Sequence, residues 1–462
     1  MKLTLIKPNI GSRNGLKYKD IGCMEPYALS IIAGLTPPGI DIRFIDERME
    51  NIDFDSPTDI VAINVETFTA RRAYQIARTF RSRHVTVILG GFHPSLIPTE
   101  AIRFADSVVI GEVEPIWSSI LHDFRTGNLK KVYNSGYRCD MKGILPDRSI
   151  FNRYRYLPFT LTHYSRGCPY SCTYCPDAVL YEGNIRYRPV EDVITDIESQ
   201  SRPYIFFVDN NISANKQKFK ELLRELIPLQ IKWVSQADIN VGEDDELLDL
   251  MKKSGCEGLV VGFETLNPDN LTLMNKPQNI KAFSRYDMNI TRIHDHGIAI
   301  WAAFLFGYDS DTKDTFKYTM DFALRHKFHF AGFNPLIPYY GTPIYNRLQA
   351  EKRLLFDKWW LNPAYRFGDV TFQPKHMTPE ELSHGCIDSL KYFSGFPSLL
   401  KRSTNFKVVF KDFFLFKVFF IYNMLIRREI RKKEYIELGY TLGSDAPEIY
   451  YPGDPLLEEL RN

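Results

Sequence analysis

The chain has 462 residues, enough for two or three domains, with 44% hydrophobic and 25% charged residues and a net charge of +2. That is an ordinary globular balance, with no shortage of core and no reason to expect nucleic acid as the main partner. Seven scattered cysteines, an odd number in a large chain, exclude a disulfide framework.

The first 135 residues alternate strand and helix. Apolar, β-rich runs predict strands at 3–9, 41–46, 59–66, 85–91 and 107–112, with helices between them, for example over 69–80 and 114–124. This alternation predicts a parallel, doubly wound, Rossmann-like sheet. Ligands of such sheets sit at the C-terminal strand ends, where the GGFHPS segment (90–95) falls. The rhythm breaks from 131, and 136–156, polar with Gly136, Gly143 and Pro146, reads as a linker. A second alternation fills 157–345, with strands expected at 159–165, 204–210, 231–237, 258–264, 298–307 and 330–338. Six β/α units predict a partial (β/α)6 barrel with its chemistry at the strand C-termini.

Residues 346–462 lose the strand pattern and are expected to be helical. Within them, 401–433 hold ten Lys/Arg against two acidic residues, Asp412 and Glu429, and eight aromatic side chains. Such a segment either lies in a membrane interface or packs on the barrel with a solvated basic end. No window offers about 18 clean apolar residues, so no spanning helix is expected. The N-terminus lacks the h-region of a signal peptide, and the chain reads as cytoplasmic, with membrane association open through 401–433.

Three of the seven cysteines fall within eight residues: Cys168, Cys172 and Cys175, spaced C-x3-C-x2-C, just after the first barrel strand. Three thiolates can hold three irons of a cubane cluster and leave the fourth open for a ligand. A zinc site is the alternative, but it asks for four closed ligands, and only His163 is near.

With Tyr174 as the aromatic of C-x3-C-x-aromatic-C, the region 157–345 resembles a radical S-adenosylmethionine (SAM) core. The resemblance implies a [4Fe-4S] cluster on Cys168, Cys172 and Cys175. It implies reductive cleavage of SAM to a 5′-deoxyadenosyl radical, and an electron donor such as flavodoxin or ferredoxin. By position in the barrel it assigns Asp209 and Asn210 to the SAM amino group, Gln236 to the third strand end, Glu264 to the ribose, and Phe306 and Gly307 to the adenine. The turn IPYYGTP (337–343) resembles a family motif after the sixth strand. On their own chemistry, Asp209 could equally cap a helix, while Glu264 at an apolar strand end points to a site, with a structural ion pair as the alternative.

A doubly wound domain ahead of such a core resembles the cobalamin-binding branch, which includes the anaerobic magnesium-protoporphyrin ester cyclase and C-methyltransferases. Gly90, Gly91 and Gly111 fit that branch, since a glycine lets the backbone approach a bulky ligand. The D-x-H-x-x-G motif that ligates cobalt is absent, and His93 is either a turn residue or a cobalt ligand. The segment with Trp359 and Trp360 resembles one that follows the core in this branch, and is expected either to shape a substrate pocket or to pack in a core.

The implied reaction is methylation of an unactivated carbon of a small-molecule or lipid-like substrate. Cyclisation without methyl transfer is the alternative within the class. A tRNA methylthiotransferase is a further alternative, but it would need a second three-cysteine set, and the N-terminal domain and linker supply only Cys23 and Cys139. A non-catalytic cobalamin or redox sensor is the last.

Overall fold

The computed structural model describes residues 1–440, apart from positions 20, 21, 155, 201 and 203. Six strands of the N-terminal part form one parallel sheet: β1 (Lys2–Lys7), β2 (Asp41–Asp46), β3 (Ile60–Asn64), β4 (Thr86–Gly90), β5 (Ser107–Gly111) and β6 (Val132–Gly136). Their order is 2-1-3-4-5-6. β1, β3 and β5 are near-continuous apolar runs because a parallel sheet is covered on both faces. Leu3, Leu5, Ile60 and Val109 meet Trp117, Ile120 and Leu121 of the helix Trp117–Arg125 in one core. The strand order reverses between β1 and β3, the place where doubly wound sheets open a crevice. There Lys7, at the end of β1, reaches Glu66, just beyond β3, with Nζ 2.5 Å from Oε1.

The expected linker is part of this unit. Residues 132–136 are a sixth strand, masked in the sequence because an edge strand buries little, here Tyr133 alone. Beyond it, Asp147 N donates to Ser30 O at 2.8 Å, and the carbonyl of Leu145 would lie 2.2 Å from any Cβ at Gly34. The Phe151 ring packs edge-on against Phe44 at 5.3 Å.

The expected helical region 346–462 is divided between two compact units. Among the described residues, the first comprises Met1–Leu157, Phe356–Phe367 and 433–440; the second comprises Pro158–Leu355 and Gly368–Lys432. Trp359 and Trp360 are therefore core residues of the first unit, both fully buried. The strand Glu437–Leu438 adds to the small hairpin of Gly11–Arg13 and Leu16–Lys17.

In the second unit, β7 (Thr160–Thr162), β8 (Tyr204–Phe207), β9 (Lys232–Gln236), β10 (Cys256–Glu264), β11 (Ala299–Phe306) and β12 (Phe330–Pro335) lie side by side in chain order, all parallel. This is the open six-unit barrel that the alternation predicts. Helix starts are set by caps: Asn215 before Lys216–Leu226, Asp244 before Asp245–Lys253, and a Thr312/Thr315 capping box before Lys313–Arg325. On β11, Ile300, Ala302, Phe304 and Phe306 are buried, whereas Trp301 on the opposite face is 43% exposed.

The segment 401–433 is not one helix. It runs as Phe406–Val409, Phe413–Lys417, a π-helical stretch Val418–Tyr422, and Asn423–Lys433. Asp412 restarts the chain by accepting from Leu415 N at 2.8 Å. No helix among the described residues is long and apolar enough to cross a membrane.

Candidate functional site

The three clustered cysteines lie on the loop that leaves β7, ahead of the helix Pro176–Tyr181, with Cys175 as its N-cap and Pro176 in the first turn. Cys172 is buried, and Cys168 and Cys175 are half-buried. Each following strand of the barrel sends an anchor to this loop.

After β8, Asp209 takes Tyr164 N at 3.0 Å and Ser165 N and Oγ at 2.5 Å each. Next to it, Asn210 accepts from Gly167 N at 3.0 Å and donates to Asp177 at 2.6 Å. After β9, Asp238 binds the Tyr170 hydroxyl within the C-P-Y-S-C turn. After β10, Met274 O accepts from Thr173 N at 2.9 Å, and Asn275 Nδ2 donates to Ser171 O at 3.0 Å. After β11, Tyr308 shares a hydrogen bond with Thr173 Oγ1 at 3.1 Å. After β12, Ile344 N, in the helix opened by Thr342-Pro343, donates to Thr173 O at 3.0 Å.

Behind the loop Glu264 forms the structural ion pair its position allowed, with a lysine that the sequence did not single out. Glu264 ends β10 at φ +61, where the β10/β11 register shifts. Its Oε1 is 2.5 Å from the Nζ of Lys276, which also reaches the Tyr174 hydroxyl at 3.2 Å. The pair fills the space over Gly262, where a Cβ would meet Glu264 Oε1 at 2.3 Å and Lys276 Nζ at 2.9 Å. Lys276 was missed because nothing in NKPQN marks a lysine as buried.

Electrostatics at the loop favour a positive guest. Burial pushes the Cys168 thiol up to about 11 and Cys175 to about 12, and each is raised further by the charge of Cys172. Burial raises Cys172 as well, against the pull of the Lys276 ammonium. Three thiolates so close need a multivalent cation to replace their protons. Among the described residues, no group of three Cys, His, Asp or Glu side chains converges as a single ion would require. A cubane, taking each thiolate on a different iron, does not require that convergence. His163, the nearest alternative ligand, is buried in the unit.

Several expected cofactor contacts have other work. Asp209 is fully buried and its carboxylate is spent on the loop, with burial pushing it up to about 6. Phe306 stacks on Phe316 at 4.7 Å inside the core. Gly307, at φ +109, gives its N–H to Asp311 at 2.8 Å, and a Cβ there would strike Leu382 and Phe372. Gln236 is exposed at its strand end and makes no side-chain hydrogen bond.

In the first unit, His93 is fully buried. Its Nε2 lies 3.1 Å from both the Tyr74 hydroxyl and Glu100 Oε1, and Trp360 Nε1 donates to the same carboxylate oxygen at 3.0 Å. The His93 Nε2 is thus engaged within the core of this unit. Gly91, at φ +106, is required by the backbone of Val65, 3.1 Å from its missing Cβ. Gly111, at φ +86, is required by Gly136 O at 2.1 Å, so it serves sheet pairing. Only Gly90 has ordinary room beside it, with Val109 Cβ at 3.6 Å.

Comparison with known proteins agrees with this geometry. The family model described as the Radical SAM superfamily matches residues 162–323. The bacteriochlorophyllide d C-12(1)-methyltransferase of Chlorobaculum tepidum is 30% identical over 415 residues, covering 87% of this chain and 89% of that one. The chain belongs to the radical SAM superfamily. The hopanoid C-2 methylase of Rhodopseudomonas palustris is 28% identical, covering 72% of this chain and 66% of its own. These relatives place the radical SAM enzyme among methyltransferases, and the family's cofactors are a [4Fe-4S] cluster and SAM. The fold matches a solved structure of TsrM, a radical SAM methyltransferase from Kitasatospora setae with cobalamin and a [4Fe-4S] cluster bound. The TM-score is 0.61 at 16% identity, covering 76% of this chain and 75% of that one.

Proposed function

We propose that this radical SAM methyltransferase uses Cys168, Cys172 and Cys175 to hold the cluster, binds SAM at the barrel mouth beside it, and carries cobalamin on its first unit. The observation that carries the reading is the loop itself: three thiols in eight residues, tied down from every following strand of the barrel. When bound, the cluster's chemistry is one-electron reduction of the SAM sulfonium, and that of cobalamin is methyl carriage.

The chain's own part is positioning. Asp209 and Asn210 hold the entry to the loop, and Asp238 and Tyr308 hold its two turns. The Lys276 ammonium, pinned by Glu264, stands beside Cys172 and favours its thiolate. Gln236 is left open toward a bound molecule. In the first unit the C-terminal strand ends beside Gly90 would hold a corrinoid, while the His93 Nε2 is engaged with Tyr74 and Glu100. Reduction would come from a one-electron donor such as flavodoxin or ferredoxin. The substrate is a large, mostly apolar small molecule, of the kind that the two methylating relatives are named for. Methyl transfer is preferred to ring closure because those relatives methylate.

Anaerobic reconstitution with iron, sulfide and hydroxocobalamin, followed by desalting, tests both cofactors. About four irons with one cobalt per chain are expected. Each Cys→Ala variant of the trio should lose iron and 5′-deoxyadenosine formation, and retained cleavage would refute the cluster assignment. Iron without cobalt would refute the cobalamin assignment and leave the barrel chemistry standing.

A further inference from the structure

All four phenylalanines that stand exposed among the described residues lie in one stretch of the second unit: Phe396 (71%), Phe406 (68%), Phe410 (48%) and Phe413 (68%). Leu400 and Met424, from the same stretch, are exposed as well. The rings of Phe406 and Phe410 are 5.6 Å apart, those of Phe410 and Phe416 5.6 Å, and those of Phe416 and Phe420 5.0 Å. They form a continuous aromatic ladder.

This exposure is not loose packing. The segment is pinned from behind by buried Val408, Val409, Leu415 and Phe419. Arg402, fully buried, donates to Phe328 O, His329 O, Phe393 O, Ser398 Oγ and Asn423 Oδ1. Asp412 is paired with Lys232, and Phe414 stacks on Tyr204 at 4.5 Å. The ladder is thus presented on a fixed support.

Its surroundings are cationic. Lys401, Lys417, Arg427 and Arg428 are exposed without a carboxylate partner among the described residues, and the Lys417 ammonium sits 4.1 Å over the Phe413 ring. An aromatic face with a basic rim suits the boundary between acyl chains and anionic headgroups. A second copy of the chain would set two rims of like charge together.

We propose that this face docks the enzyme on an anionic lipid surface, the phenylalanines entering the interfacial layer and the basic side chains meeting headgroup phosphates. The contact is peripheral, since no described helix can span. It does not depend on which group the enzyme transfers.

The test is sedimentation of the full-length, cluster-loaded protein with phosphatidylcholine vesicles, with and without phosphatidylglycerol. Binding is expected with phosphatidylglycerol and should weaken as salt rises. The variant F406S/F410S/F413S should bind at least about tenfold more weakly at unchanged iron content and circular dichroism. The variant K401E/K417E/R427E should lose the preference for phosphatidylglycerol. Absence of wild-type binding, or undiminished binding by the serine variant, would overturn the proposal. So would a vesicle-free dimer that the serine variant dissociates, which would show a second copy to be the occupant.

Discussion

Replacing Lys276 with Met isolates the ion pair beneath the cysteine loop. Lys276 is 7% exposed, its Nζ lies 2.5 Å from Glu264 Oε1, and the Glu264 side chain is 12% exposed. Removing one member of a buried pair costs about 3–5 kcal/mol, because the remaining charge stays desolvated. At about 2–4 °C per kcal/mol for a domain of this size, the melting of the second unit should fall by roughly 6–20 °C. The double variant E264Q/K276M removes both charges and should cost only about 1–2 kcal/mol, well below the cost of K276M alone. Differential scanning calorimetry of the anaerobic apoprotein reads both variants against wild type. A K276M protein melting within about 2 °C of wild type, or a double variant no better than the single, would refute the reasoning.

Adjacent glycines should respond differently to the same change. Gly111→Ala, at φ +86 with Gly136 O in the way, should destabilise the first unit by more than about 3 kcal/mol, whereas Gly90→Ala should stay within about 1 kcal/mol, both read by urea unfolding. Burial holds His294 down to about 4 and His329 to about 3, so both stay neutral in the folded state while the unfolded chain protonates below about 6.5. Their contribution is full above that pH and is lost as pH falls toward 4, about 2 kcal/mol each by pH 5. Asp209 and Asp311, both pushed up to about 6 by burial, oppose this, adding stability as pH falls from 6 toward 4. Between pH 7 and 5 these four groups together should cost wild type about 1 kcal/mol, and His329→Gln should shift the slope toward stability at low pH by about 2 kcal/mol; an unchanged pH slope would contradict this account.

The sequence by itself determined the local features of this protein. Apolar runs of the right length, broken by caps such as Asn215 and Asp244, specify strands and helices in order, because period and capping act within a few residues. The alternation specified both parallel sheets, and the spacing of Cys168, Cys172 and Cys175 carried the resemblance to the radical SAM family. What the residues around the trio do was decided only by the tertiary structure. Asp209, Phe306, Gly91 and Gly111 match expected ligand positions, yet their side chains or missing Cβ atoms are claimed by the Ser165 turn, the Phe316 ring, the Val65 backbone and the Gly136 carbonyl. Lys276 and Trp360 came to matter through partners 12 and 260 residues away in sequence. The return of 356–367 and 433–440 to the first unit, and the facing of four phenylalanines outward, are likewise long-range outcomes. A residue's type sets what it can bind, and burial and partners, which sequence spacing does not encode, set what it does bind.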